Sequence, residues 1–380
     1  MNTSLDNINK YCLYRDLILF FFCGLMGSSL FPIPQELWKY GLIIIYICCI
    51  IDSLKNKLLV FEKKAIIFVI VVLFYALFWA IKYSFQTTFI AQILMAFPSF
   101  IVFGHLGRKG VITEKWIEIS TFVILVFTLF EFYYWKDFYF IYNDREYNTI
   151  GVNSFVYLIP LLCLFKRKSI AVPLFLVCMY YTIIGAKRGL LLCSIIPTWF
   201  FLKSILQHDR KKFLKIGALV SVILIIVFGV QVIENNTYLI ERYNDTMNGD
   251  SSGRDVIYST YFNNWFHSDN IFVLLFGYGS AATETTVIGL KAHSDWIEVI
   301  YDYGIFGMAM YVPVIVNLIK LCVRNKKTKY SNIYISIVWI CIIKSLFSFL
   351  FFDSELLVLA ISYGFIIGKQ KESCIINSQL

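Results

Sequence analysis

The stretch "LIIIYICCII", Leu42–Ile51, decides the fold class of this chain. It carries no charge, and its apolar side chains do not alternate with polar ones as they do in the strands of a transmembrane barrel. Similar runs recur along almost all of the 380 residues, of which 59% are hydrophobic and 16% charged. A soluble domain has about a quarter of its residues charged. The sequence therefore predicts an all-α, polytopic membrane protein.

Bilayer thickness sets the number of spans, because one helical span takes about 20 apolar residues. That length predicts about twelve transmembrane helices, at 15–33, 38–52, 65–82, 87–106, 115–135, 149–165, 170–186, 189–206, 216–233, 296–322, 333–352 and 355–368. Residues 1–380 then form a single integral membrane domain. A large external loop, 234–295, separates helices 9 and 10, and a second long external gap is 136–148. We expect the 234–295 loop to be partly helical and to roof an active-site cavity.

Lysine and arginine give an independent prediction of the topology through the positive-inside rule. With the N-terminus inside, 24 of the 34 basic residues fall in cytoplasmic segments, and every second gap between spans is basic. Both termini are then cytoplasmic. The net charge of +9 follows from this topology, and the contiguous basic patch that nucleic acid binding requires is absent from the sequence.

The ten cysteines fit a membrane domain better than a disulfide framework. Eight lie inside the apolar spans, and Cys12 and Cys374 lie in the predicted cytoplasmic tails. None falls in an external loop, so neither a disulfide framework nor a CxxC metal site is predicted.

Two adjacent cations, Lys187 and Arg188, stand in "TIIGAKRGLLLC" at an external turn between two apolar runs. One interpretation is a pair that extends to the interface from a hairpin tip. Against it, the positive-inside bias disfavours adjacent cations on the external side. Gly185 and Gly189 flank the pair and would allow a ligand to approach the backbone.

A third cation, Arg254 in "NGDSSGRDVIYSTYFNNW", follows a Gly/Ser/Asp turn. Ile257, Tyr261 and Trp265 then recur at helical spacing, which places Arg254 in the first turn of a helix. Unpaired backbone N–H groups in that turn bind anions. An exposed surface arginine is the alternative, and Arg242 in "IERYND" is a weaker candidate beside Glu241.

The only histidine at the start of an apolar span is His293, in "KAHSDWIEVIYDYGIFG". Ser294 is placed to cap the helix that follows, and Asp295, Glu298 and Asp302 share one face of it. His293 is either a loop residue or a base at the external mouth of the span. The acids either line a site as secondary residues or pair structurally with arginines, and the sequence leaves both choices open.

Together these residues favour one kind of chemistry. Guanidinium groups suit diphosphate oxygens, and an imidazole with a pKa near 6.5 suits proton abstraction close to neutral pH. The combination is typical of group transfer from a diphosphate to a hydroxyl.

Three segments resemble the O-antigen ligase and O-antigen polymerase superfamily, the WaaL and Wzy proteins. "HSDWIEVIYDYGIFG" is similar to the family's histidine signature. "SGRDVIYSTYFNNW" followed by "LLFGYGS" resembles the loop before it, and "GAKRGLLL" resembles the earlier arginine motif. The resemblance covers roughly 180–310.

The resemblance implies an inner-membrane glycosyltransferase that needs no metal or other cofactor and acts on undecaprenyl-diphosphate-linked glycans at the periplasmic face. His293 would deprotonate the acceptor hydroxyl, and Arg188 and Arg254 would hold the donor's diphosphate. Many relatives have serine or threonine where this chain has Lys187, which would share the arginines' role. A chain-length regulator and a flippase are the protein partners implied.

Three functions remain open at this point. The Gly-Tyr-Gly segment favours a polymerase, which joins lipid-linked repeat units, over a ligase, which transfers glycan to lipid A-core. A lipid-linked oligosaccharide transporter is the third, and Lys344 inside the eleventh span fits it best. Against a transporter, the other ionisable residues gather at the external face.

Overall fold

A computed structural model describes residues 2–379 except 32, 56–57, 81–86, 144–151, 186, 209–239, 241–243, 245–252, 287–288 and 327. Within these residues the protein is all-α without strands, which confirms the predicted class. The helices are α1 (Asn2–Met26), α2 (Gln35–Leu54), α3 (Val60–Ala80), α4 (Thr87–Met95), α5 (Pro98–Arg108), α6 (Glu114–Asn143), α7 (Asn153–Cys163), α8 (Lys168–Ile184), α9 (Arg188–His208), α10 (Arg254–Phe266), α11 (Ile271–Phe276), α12 (Asp295–Arg324), α13 (Ser331–Phe347) and α14 (Leu356–Gln379). Single turns at Ser28–Leu30 and Ala282–Thr285 accompany them.

Several helices have the length and composition of membrane spans. Five qualify, at Gln35–Leu54, Ile90–Arg108, Glu114–Trp135, Arg188–Leu206 and Asp295–Arg324. Shorter apolar helices are α7, α8, α13 and the first part of α14. Several long apolar helices in one chain indicate a multi-pass membrane protein.

Helices α5, α7 and α14 form the centre of the protein. Every residue of α5 from Pro98 to Gly107 is buried, and α14 packs closely along it. A Cβ on Gly107 would lie 1.9 Å from the carbonyl oxygen of Gly364, so small residues permit this contact. The outer helices instead expose large apolar side chains such as Phe74 and Trp199, as a bilayer-facing surface does.

Eleven of the twelve predicted apolar segments overlap helices, and 216–233 lies outside the described residues. Two segments predicted as continuous helices are interrupted. The 87–106 segment forms α4 and α5, because Pro98 begins a new helix, and α12 is broken at Gly304, whose φ is 61°. The predicted span 115–135 matches the apolar stretch Glu114–Trp135, and α6 continues beyond it to Asn143, into the 136–148 gap.

The Gly-Tyr-Gly segment packs against the break in α12. The backbone N–H of Tyr278 donates to the carbonyl of Tyr301 at 2.9 Å, and that of Gly279 donates to the carbonyl of Asp302 at 3.0 Å. The break at Gly304 interrupts the helical ladder and leaves these carbonyls open to the loop. The Gly-Tyr-Gly segment, which resembles part of the loop before the histidine signature, therefore makes structural contacts here.

Helix α10 packs through the face predicted from its sequence. Tyr261 and Trp265 are buried, with Ile257 partly buried beside them. The Tyr261 hydroxyl donates to the carbonyls of Thr283 and Leu290, at 2.8 Å and 2.6 Å. This small core, separate from the main one, fixes α10 over the first turns of α12.

Candidate functional site

Five helices begin at the same end of the protein. Their first residues are Asn153, Arg188, Arg254, Asp295 and Leu356. The Ser154 hydroxyl donates to Glu355 Oε2 at 2.5 Å, which joins the starts of α7 and α14. The charge of Lys187 interacts with those of Glu355 and Arg254, and Arg254 interacts with His293. The partly positive N-termini of these helices favour an anion at this end.

Arg254 occupies the predicted position as the first residue of α10. It follows Gly253, whose φ of 74° turns the chain into the helix. Its Nη1 donates to the carbonyl oxygen of Phe347 at 2.9 Å, and Tyr258 is a second side-chain partner. The guanidinium is half-buried and held in place. It is therefore not a freely moving surface arginine.

Lys187 and Arg188 stand at the start of α9, and both are half-buried. A Cβ on Gly189 would lie 3.4 Å from Phe347 Cβ and 3.9 Å from the carbonyl oxygen that accepts from Arg254. The beginning of α9 and the Arg254 guanidinium therefore meet at Phe347. The charge of Lys187 acts on His293 together with that of Arg254.

Gly185 has a different role from the one predicted. A Cβ there would lie 2.4 Å from Cγ1 of Val152. The missing side chain makes room for Val152 to pack, so it does not open the backbone to a ligand.

His293 occupies a turn with φ of 56°, unusual for a residue other than glycine. The Tyr258 hydroxyl donates to its carbonyl at 3.1 Å, and its ring lies 5.1 Å from that of Phe349. The flanking residues Ala292 and Ser294 are buried while the imidazole is exposed. The turn is thus anchored through its backbone, and the ring is left accessible.

The surroundings keep this imidazole neutral. Packing against one side of the ring removes part of its hydration, and cations nearby repel a further positive charge. Together these effects lower the pKa of His293 to about 4. The cations are Arg254, Lys187, Lys291 and Lys344. At neutral pH the ring therefore has a free lone pair that can accept a proton.

Asp295 joins α12 to the connection before α14. Its carboxylate accepts from the backbone N–H of Leu350 at 3.0 Å and from the Tyr311 hydroxyl at 2.6 Å. Ser294 is the N-cap by position, but its side chain makes no capping hydrogen bond, so that prediction was wrong. With its hydrogen bonds made inside the protein, Asp295 acts as a structural residue.

Glu298 and Asp302 hold the loop that leads to His293. Glu298 accepts from the backbone N–H of Ala292 and from the Thr283 hydroxyl, both at 2.6 Å. Asp302 accepts from the backbone N–H of Ala281 at 2.9 Å. Both carboxylates are buried, and these partners are amides and a hydroxyl. These contacts support a structural role for both acids, and the role of Glu298 as a secondary site residue stays a prediction.

A polar network that the motifs did not reveal lies beside the cations. Lys344 Nζ pairs with Asp353 Oδ2 at 3.2 Å, and the Tyr157 hydroxyl donates to the same oxygen at 2.7 Å. Asn153 Nδ2 bridges Asp353 and Glu355, 3.4 Å from each. The two acids interrupt the apolar run "FFDSELL", a signal that sequence reasoning passed over.

The remaining predicted residue, Arg242, lies outside the described residues. Across the described part of the chain, no three His, Cys, Asp or Glu side chains converge as a metal site. The cysteines in that part are free thiols.

The chain matches no protein-family model and no curated protein. Four cations around a neutral imidazole, together with the helix N-termini, suit an anionic ligand that carries a reacting group.

The Lys187 ammonium should make anion binding depend on pH. Burial, with repulsion from Lys344, lowers the pKa of Lys187 to about 8. As pH rises from 7 to 9 the lysine loses its charge, so affinity for farnesyl diphosphate should fall about tenfold, the loss of one charge-assisted contact. Titration calorimetry in detergent measures this. Lys187→Arg stays charged and should lack the step, and an equal fall in that variant would contradict the assignment.

Proposed function

We propose that this protein is a membrane glycosyltransferase that polymerises undecaprenyl-diphosphate-linked oligosaccharide repeat units into O-antigen or a related surface polysaccharide. The observation that supports it is the gathering of Lys187, Arg254 and His293 over more than a hundred residues of sequence. Phe347 meets both the start of α9 and Arg254, and Tyr258 of α10 bonds the carbonyl of His293. The proposal includes the twelve-span topology, both termini in the cytoplasm and a site at the outer face of the inner membrane.

The reaction divides between the cations and the imidazole. Arg188, Arg254 and Lys187 hold the diphosphate of the donor, which in a polymerase is the growing chain. The acceptor is a hydroxyl of the next repeat unit. His293 takes the hydroxyl proton while the oxygen attacks the anomeric carbon. The bond from that carbon to the diphosphate oxygen breaks, and its electron pair leaves with the diphosphate. The cations stabilise the charge that develops there.

Donor binding should also strengthen the base. Part of the lowering of the His293 pKa comes from repulsion by Arg254, Lys187 and their neighbours. A diphosphate bound among these cations would cancel much of that repulsion, because an opposite charge favours the protonated form. The imidazole would then accept a proton more readily once the donor is in place, which couples binding to chemistry.

Lys344 is the residue that fits the alternative function, a transporter, best. Its ammonium pairs with Asp353 and contributes to the potential at both Lys187 and His293. Lys344 therefore belongs to the same cationic group, which favours one site near the helix starts over a separate site at mid-membrane. Transfer of the glycan to lipid A-core instead of a repeat unit would use the same residues.

Purified protein in detergent, given lipid-linked repeat units, should produce glycans of two or more repeats. Detergent removes the two compartments that transport needs, so lengthening there requires catalysis. Gel electrophoresis of the released glycans measures the product. Repeat units that stay single would count against the polymerase, and transfer only to added lipid A-core would identify a ligase.

A further inference from the structure

A second polar group lies beside the cations, on helices the motifs do not reach. It consists of Glu131 on α6, Asn153 and Ser154 on α7, and Asp353 and Glu355 before α14, and is called the Glu131 cluster below. Glu131 lies near enough to Glu355 and Asp353 for their charges to act on it, and α6 packs against α7. The cluster is adjacent to the His293 site, because Lys187 interacts with Glu355 as well as with His293.

Two atoms of this cluster have unmet hydrogen-bonding capacity. Oε2 of Glu131 and Oδ1 of Asn153 are buried and have no partner among the described residues. Both residues keep a partly accessible side chain, as does Glu355. A buried polar atom without a partner costs about 1–3 kcal/mol. Two such atoms beside the Glu355 carboxylate therefore indicate a place where donors from another molecule bind.

The side chains of the cluster differ in how many of their oxygens already have hydrogen-bond partners within the protein. Asp353 is held by Lys344 and by the Tyr157 hydroxyl. Glu355 accepts from Ser154 through Oε2, while its Oε1 has only a 3.4 Å contact with Asn153. Unused hydrogen-bonding capacity therefore lies on the oxygens of Glu131, Asn153 and Glu355. All of them are acceptors, and the Asn153 amide adds a donor.

Hydroxyl groups match this set. Each hydroxyl can donate to a carboxylate and accept from an amide, and a sugar carries several at fixed spacing. The side chains of Glu131, Asn153 and Glu355 offer a phosphate no positive charge to pair with. The two neighbouring sites therefore differ in the side chains that line them: cations surround His293, and hydrogen-bond acceptors surround Glu131.

We infer that the Glu131 cluster is a subsite that binds the sugar hydroxyl groups of the acceptor repeat unit. The inference rests on the proposed function. The subsite would place the acceptor beside His293 while the diphosphate of the donor lies among the cations. Glu131 and Glu355 would act as substrate-positioning residues, since neither is required to take the proton.

The test uses the full chain in detergent and two probes. One is the oligosaccharide released from the host's lipid-linked repeat units by mild acid, and the other is farnesyl diphosphate. Glu131→Gln should weaken binding of the oligosaccharide at least about tenfold, or about 1.4 kcal/mol. Its affinity for farnesyl diphosphate should stay unchanged. Glu118→Gln, the same change elsewhere on α6, should alter neither, and titration calorimetry measures all three.

Glu355→Gln repeats the test from a second helix if Glu131→Gln does not fold, and farnesyl diphosphate binding reports folding in each variant. Wild-type affinity for the oligosaccharide in both variants would overturn the subsite, as would no oligosaccharide binding by the wild type. Oligosaccharide binding that requires a divalent cation would also overturn it. If Glu131→Gln lengthens chains and binds the oligosaccharide with wild-type affinity, the polymerase proposal is kept and the subsite is rejected. Oligosaccharide binding through Glu131 without lengthening would keep the subsite and reject the polymerase.

Discussion

Replacing His293 with alanine should lower the rate of chain lengthening by about 10²–10⁴-fold, the usual contribution of a general base. Affinity for farnesyl diphosphate should stay the same, because Lys187 and Arg254 remain. The rate with purified lipid-linked repeat units and the binding isotherm together separate chemistry from binding. Loss of both rate and affinity would instead show that the turn had collapsed.

Two further variants make this experiment selective. His267→Ala removes the exposed histidine that follows α10, and it should leave the rate unchanged. The His267 ring lies 3.0 Å from the carbonyl oxygen of Asn263 and packs edge-on against Phe266, away from the site. His293→Asn keeps a residue that tolerates the left-handed backbone at φ 56° but cannot act as a base. It should be as slow as His293→Ala. A fast His293→Asn variant would remove the imidazole from the reaction.

Gly277→Ala should be the most destabilising single methyl addition in the Gly-Tyr-Gly segment. A Cβ there would lie 2.3 Å from the carbonyl carbon of Asp302, in a residue whose φ is 74°. Forcing the segment away from α12 would break the bonds at Tyr278 and Gly279. We expect a loss of about 2–4 kcal/mol from the left-handed backbone and the overpacking together. The melting midpoint in detergent measures it.

Gly110→Ala is the matched control for the effect of the methyl group. Gly110 has the same φ of 74°, but a Cβ there meets nothing within 4 Å. It should cost only the backbone strain, about 1 kcal/mol. Equal melting midpoints for the two variants would show that the contact between Gly277 and the α12 break does not contribute to stability.

The positions of the helices were readable from the sequence because apolar character is a local property. A run such as Leu42–Ile51 must be helical and buried in apolar surroundings whatever lies elsewhere in the chain. The start of α10 was readable for a similar reason, since Gly253, Arg254 and the periodic face through Trp265 are all local signals.

The breaks in the helices were harder to predict. Hydropathy is unchanged across Pro98 and Gly304, so the two interrupted segments read as continuous spans. The apolar part of α6 ends at Trp135 as predicted, but hydropathy alone did not show that the helix itself continues to Asn143.

The polar partners could not be predicted at all from spacing along the chain. Sequence placed Asp295, Glu298 and Asp302 on one face, but it could not show that their partners are amides and hydroxyls of two different loops. Likewise Tyr157 and Asp353 are brought together from positions 196 residues apart.

By itself, the sequence determined an all-α chain of long apolar helices, with its cations at helix starts and a histidine before one of them. It did so because the bilayer length and helix-start signals act over one or two turns. Only the tertiary structure decided which of those charged groups meet. A buried charge takes whatever partner the packing of α7, α9, α12 and α14 brings within about 3 Å, and that packing depends on the whole chain.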